Sequence, residues 1–250
     1  MMSGIDWKLA GNLAIRGKFA TILRIAGSKL EAYRVEDRPA MERMNEVCFG
    51  FSKPVHWNFF RWVMRTHPCP RILNLGVYQG RDIAYMAHAK LAALTSETPN
   101  AAFTDPEWSI IGVDIFDGDE SASTAPGEPA SPGQQFEGVA RPRLSLAENN
   151  LRKAGVEDGR VKLLRDTDVN YLRTSPRQYD FIYVDTSHYY KDTLDLLELA
   201  RARLAPGGMI AGDDYFDLGP WGVESAVKKS FRQHKVFGGY IWYAAKEDFN

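Results

Sequence analysis

Asp185 and His188 share one loop, VDTSHYY, and Asp213 and Asp214 stand side by side in AGDDY. Each group follows a short apolar run of the kind that forms a buried strand, and ligands of open α/β sheets gather beyond the carboxyl ends of the strands. Carboxylates gathered at such an edge repel one another, a cost that a cation or protonation offsets. Asp185, Asp213 and Asp214 make an all-oxygen set suited to a hard divalent ion such as Mg2+. The rival reading has Asp213 or Asp214 capping the following turn. His188 is the candidate general base, since an unperturbed imidazole titrates near neutral pH, or else a hydrogen-bond donor that stabilises its loop.

A second group lies earlier in the chain. The apolar run Arg71 to Leu75 leads directly into Gly76-Val77-Tyr78-Gln79-Gly80, after which Ile83, Met86 and Ala87 mark a helix. Such a strand, glycine turn and helix let a ligand approach both the backbone and the helix N-terminus. The glycines are spaced differently from the G-x-G-x-x-G dinucleotide fingerprint, which sets nicotinamide and flavin aside. Asp114 ends the next strand, where a carboxylate is placed to accept from the two hydroxyls of a ribose.

The elements that must position these residues follow from periodicity. Strands are expected near 71–75, 109–113, 161–164, 181–184, 208–211, 236–237 and 241–244, with helices from Pro54 to about His67, after Gly80, over 144–154, around 194–204 and over 222–231. The alternation predicts an α/β fold, a Rossmann-like seven-stranded sheet that is mainly parallel, with helices on both faces and an antiparallel hairpin at the C-terminal edge. Residues 52–250 form this domain, and 1–51 an N-terminal helical extension. Its amphipathic stretch 5–34 suits packing, a lid or a homo-oligomer contact, while 35–50 reads as a polar connector. Residues 117–138, rich in Gly, Pro and Ser, read as a loop, either a substrate lid or a surface insertion.

Composition narrows the partners. The 250 residues carry a formal net charge of -1, which gives no basic surface for nucleic acid. No apolar run is long enough to span a membrane. The two cysteines, Cys48 and Cys69, read as free thiols in a reducing, cytoplasmic compartment.

The order NLGVYQG, GVDIF, AGVEDGRVKLLRDTD, YDFIYVDTSHYY and LAPGGMIAGDDY resembles the class I S-adenosylmethionine-dependent methyltransferases, most of all the O-methyltransferases that act on sugars of macrolide and aminocoumarin antibiotics. The resemblance covers about residues 52–246. It implies that Asn74, Gly76, Tyr78 and Gly80 surround the methionine part of S-adenosylmethionine, with Asn74 standing where an acidic residue is usual. It also implies that Asp114 holds the ribose, Ile115 and Phe116 flank the adenine, and Asp166 and Thr167 lie near its amino group. Asp185 would touch the cofactor and, with Asp213 and Asp214, hold Mg2+. The implied acceptor is a small hydroxylated molecule, in a pocket lined by Tyr189, Tyr190, Tyr215, Phe216 and Trp221. His56, His67, His88 and His234 read as structural.

Overall fold

The computed structural model describes residues 34–95, 107–119, 141–156 and 159–250. The amphipathic stretch 5–34 and most of the 117–138 loop lie outside the described residues. Helices α1 (Arg38–Val47) and α2 (Pro54–Thr66) precede β1 (Arg71–Leu75), α3 (Arg81–Leu94), β2 (Ser109–Asp114), α4 (Leu144–Lys153), β3 (Val161–Arg165), α5 (Asp168–Thr174), β4 (Tyr179–Val184), α6 (Tyr190–Arg203), β5 (Leu204–Gly212), α7 (Val223–Ser230), β6 (Lys235–Phe237) and β7 (Ile241–Ala245).

The strands form one seven-stranded sheet in the order β3-β2-β1-β4-β5-β7-β6. Strands β1 to β5 are parallel, while β7 runs antiparallel to both β5 and β6. The expected fold class and edge hairpin are therefore observed. The strand order reverses at β1, which lies between β2 and β4, and this is the switch point where an open α/β sheet receives its ligand.

Both faces of the sheet are covered, so neighbouring residues of a strand enter different cores. On β4, Phe181 and Tyr183 pack with Phe59, Phe60 and Val63 of α2, whereas Ile182 and Val184 pack with Leu196 and Leu197 of α6. Gly112 on β2 keeps this packing close: a Cβ there would stand 2.5 Å from Ile83 Cδ1 of α3. At the opposite end of the strands, Arg71 forms a two-pronged ion pair with Asp180 at 2.8 and 2.9 Å, tying β1 to β4.

The expected connector at 35–50 contains helix α1, whose Ala40, Met41 and Met44 enter the same core as α2 and α3. Arg81, the first residue of α3, anchors the segment between α1 and α2. Its guanidinium donates to the carbonyls of Cys48 and Gly50, both at 2.7 Å. Burial pushes the thiols of Cys48 and Cys69 up, to about 11 and about 12, so neither is a ready nucleophile.

Candidate active site

Strand register builds the site. Leu75 pairs with Val113 on one side and Val184 on the other, and Val184 pairs with Gly212. The next residues along these four strands are Gly76, Asp114, Asp185 and Asp213, which form a row across the carboxyl edge of the sheet. The sequence groups of glycines and carboxylates are thus brought together by pairing alone.

The first half of the row is a tight loop. Gly76 has φ +85°, and a Cβ on it would lie 1.7 Å from the Asp185 carbonyl oxygen. Tyr78 adopts a left-handed φ of 51°, and Gly80, at φ 93°, caps α3. Asp114 holds this turn: its Oδ2 accepts from the N–H groups of Val77 and Tyr78, both at 2.8 Å, and its Oδ1 from Phe116 at 3.3 Å. Hydrogen bonds to an ionised acceptor contribute about 1.5–3 kcal/mol each, which favours the bent loop over extended alternatives. Burial raises the Asp114 pKa, and these backbone donors oppose the shift.

Asn74 is fully buried and donates through Nδ2 to the Gly76 carbonyl at 2.7 Å, while its Oδ1 has no hydrogen-bond partner among the described residues. The residue therefore braces the loop and keeps one acceptor in reserve. Ile115 is 36% exposed, but Phe116 is buried in the core, which leaves Ile115 as the apolar group presented at this edge. Thr167 caps α5 by accepting from the Asn170 N–H at 3.1 Å, and Asp166 binds the Asn170 amide at 2.8 and 3.0 Å. Both shape the rim next to Asp114, whose carbonyl accepts from the Asp166 N–H.

The second half is a buried network of acids and histidines. His188 Nε2 lies 3.0 Å from Asp214 Oδ2 and 3.8 Å from Asp185 Oδ1. Its ring stacks on Trp221 at 4.6 Å, and its carbonyl accepts from the Gly222 N–H. Burial acts against a charged ring, but Asp185 and Asp214 overcome it and push the His188 pKa up to about 10. At neutral pH the residue is an imidazolium, so it cannot act alone as the base. Burial, reinforced by Asp213 and Asp82, pushes Asp185 up to about 7, although 32% of its side chain still meets solvent.

Asp213 faces a different histidine. His56 Nε2, on α2, lies 2.9 Å from Asp213 Oδ1. Burial would raise the Asp213 pKa, and the His56 interaction reverses that, holding it below the usual range. Asp82 and Ser52 complete the cluster through a 2.5 Å hydrogen bond, and the Tyr240 hydroxyl bonds Asp214. His56, read from sequence as structural, thus belongs to the site, as do Asp82 and Lys53, whose ammonium lies 3.5 Å from the Tyr240 ring centre.

This arrangement bears on the expected Mg2+ site. The donor chemistry of Asp185, Asp213 and Asp214 suits a hard ion, but Asp213 is turned to His56 and Asp214 to His188. Among the described residues, no group of three or more His, Cys, Asp or Glu side chains could hold a metal ion. As arranged, Asp213 and Asp214 each lie against a histidine, and the three carboxylates do not fit the ion.

On the acceptor side, Tyr189 and Tyr190 are each 40% exposed and Phe216 stacks on Trp221 at 5.4 Å. Tyr215 departs from expectation: its hydroxyl meets His234 at 2.6 Å, and its ring packs in the core on the α6 face. An aromatic group missed from the sequence lies at the glycine turn. Phe49 and Phe51, 55% and 53% exposed, gather with Tyr78 at ring separations of 6.2 and 5.6 Å. The only sequence signal for it is the spacing of two aromatic residues just before the Ser52-Pro54 helix start.

A seven-stranded sheet with this order, a glycine turn after β1 and an acidic residue closing β2 defines a class I S-adenosylmethionine-dependent methyltransferase. The chain belongs to the methyltransferase-domain family, whose model matches residues 73–215. No curated protein matches it in sequence. Among solved structures, the O-methyltransferase NovP is 16% identical with a TM-score of 0.58, over 90% of this chain and 98% of that one. An O-methyltransferase from Bacillus cereus, in complex with SAH, is 13% identical with a TM-score of 0.53, covering 84% and 92%. TomG from Streptomyces achromogenes, in complex with SAM, is 15% identical with a TM-score of 0.52, covering 84% and 91%. At these identities the likeness is one of fold. No helix among the described residues is long and apolar enough to cross a membrane.

Proposed function

We propose that the protein transfers a methyl group from S-adenosylmethionine to a hydroxyl oxygen of a small molecule, with Asp185 and His188 managing the proton. The observation that carries this reading is the placement of His188 Nε2 within 3.0 Å of Asp214 and 3.8 Å of Asp185, in the strand-edge row that also contains the Gly76 loop. The O-methyltransferases of similar fold support the choice of oxygen.

The residues present fit the cofactor. Gly76 lets the turn after β1 lie directly against the Asp185 carbonyl, and Asn74 Oδ1 is a buried acceptor beneath that turn with no hydrogen-bond partner among the described residues. Gly76, Tyr78 and Gly80 would bound the methionine part, Asp114 the ribose and Ile115 the adenine, with Asp166 and Thr167 at the rim. When bound, S-adenosylmethionine supplies an electrophilic methyl group. A neutral hydroxyl attacks it poorly unless it loses its proton. Asp185 takes that proton as the new oxygen–carbon bond forms and the sulfur–methyl bond breaks to leave S-adenosylhomocysteine, while His188, held by Asp214, orients Asp185. This reading routes no step through a metal: Asp213 lies against His56 and Asp214 against His188.

The acceptor lies between the Phe49, Phe51 and Tyr78 rings and the Trp221 side, an aromatic setting that suits a sugar or a phenolic ring. A glycosylated natural product, as in the family that the sequence resembles, fits this description. Calorimetry with S-adenosylmethionine, followed by a screen of phenols, catechols and hexosides for S-adenosylhomocysteine release, tests the proposal. Absence of cofactor binding would overturn it entirely. Turnover confined to amines would replace oxygen by nitrogen as the acceptor atom.

A further inference from the structure

His56 has no part in the proton transfer just described, and it lies on α2, ahead of the residues 73–215 that the family model matches. Its side chain is 1% exposed. The Lys53 N–H donates to Nδ1 at 2.8 Å, which requires a lone pair on that nitrogen. The ring proton is therefore on Nε2, and this atom lies 2.9 Å from Asp213 Oδ1. The contact is close rather than linear, and neither atom has a well-directed hydrogen bond to any other group among the described residues. Asp213 in turn sits one residue beyond Gly212, the partner of Val184, and so stands beside Asp185 in the row at the sheet edge.

A histidine whose tautomer is set by its own helix start and whose other nitrogen lies 2.9 Å from a single carboxylate oxygen resembles the outer groups that orient ligating or reacting carboxylates. We infer that His56 is a positioning residue for methyl transfer: it fixes Asp213 through Oδ1 and leaves Oδ2 to hold the acceptor hydroxyl beside Asp185. The helix before the matched domain thereby supplies part of the active site. The kinetic consequence rests on the O-methyltransferase reading, whereas the pairing itself does not.

Two measurements on the full chain separate the claims. In the first, 15N shifts of the His56 ring are recorded in the S-adenosylhomocysteine complex. A single Nε2–H tautomer that shifts in Asp213→Asn supports the pairing, and a ring lacking the Nε2 proton overturns it, whether or not an acceptor is known. In the second, His56→Gln, which keeps a donor, and His56→Phe, which does not, are compared with the best acceptor from the phenol, catechol and hexoside set. His56→Phe is expected to lower kcat about 100-fold with S-adenosylhomocysteine affinity unchanged, while His56→Gln recovers much of the rate. Adding Asp213→Asn to His56→Phe should cost little more, because the two act as one unit. Equal rate losses in both variants, or rate losses that multiply with Asp213→Asn, would overturn the positioning role. Should His56→Phe fail to fold, His56→Ala and its combination with Asp213→Asn take its place, and rate losses that multiply there overturn the positioning role. Absent turnover of the wild type with every acceptor would count against the O-methyltransferase reading, and the tautomer measurement would then decide the pairing alone.

Discussion

An ideal Cβ on Gly76 would stand 1.7 Å from the carbonyl oxygen of Asp185, so the cofactor loop and the acidic loop touch where glycine alone fits. Gly76→Ala meets both this clash and a φ of +85°, and strain of that kind costs about 1–3 kcal/mol before the clash is counted. The variant should melt at lower temperature and lose S-adenosylhomocysteine affinity at least about tenfold. Thermal melts with and without that ligand check both outcomes.

Asp114 holds the loop and is proposed to meet the ribose, and two substitutions tell these roles apart. Asp114→Asn keeps an oxygen for the Val77 and Tyr78 N–H groups and should leave the melting temperature nearly unchanged while weakening cofactor binding about tenfold. Asp114→Ala strands both donors and should lower stability as well, by about 1–3 kcal/mol. Calorimetry and denaturant unfolding read the two effects.

Asp185→Asn should depress turnover by about 100-fold or more, the usual scale for losing a general base, with cofactor affinity retained. His188→Gln should cost less, since it leaves the Asp185 carboxylate in place. Steady-state kinetics would show the order, and a reversed order would move the base to His188.

Because His56 and His188 occupy the acidic cluster, chelator should leave turnover within about twofold. Full loss with chelator and recovery with Mg2+ would mean that Asp213 and Asp214 swing away from their histidines to share an ion.

Protonation of His234 tests a different region. Burial, with help from Lys228, lowers its pKa below the ordinary 6.5, and its Nε2 meets the Tyr215 hydroxyl at 2.6 Å. The unfolded chain therefore takes up this proton at a higher pH than the folded one. The resulting stability is complete above pH 6.5 and declines as pH falls through that value toward the folded pKa. The melting temperature of the wild type should drop more steeply from pH 6.5 downward than that of His234→Phe, in scanning calorimetry across that range.

The fold, and the gathering of the strand-end residues at one edge of the sheet, were largely legible from the chain. Alternating apolar runs placed the strands, and Gly76, Gly80, Asp114, Asp185 and Asp213 are local strand-end signals that register then aligns. The acceptor half was less so. His56 sits among the buried Val55, Trp57, Phe59 and Phe60 of its helix, and only a tertiary contact distinguishes it from a packing residue. Tyr215 failed for a similar reason: adjacency to Asp214 says nothing of direction, and Asp214, with φ 51°, is part of a turn that sends the tyrosine to the opposite face. Helix α5 escaped notice because its seven residues carry too little apolar periodicity to register.

Arg81 grips its neighbouring segment by the carbonyls of Cys48 and Gly50, groups that every amino acid possesses. At Phe49 and Phe51, the exposed positions, the path of that segment is thus set by backbone contacts made on either side. Phe49 and Phe51 can be exchanged for other residues over evolutionary time, or in the laboratory, without loosening the frame that holds the glycine loop. A backbone-held segment that ends against the glycine turn thus carries two exposed aromatic positions open to change.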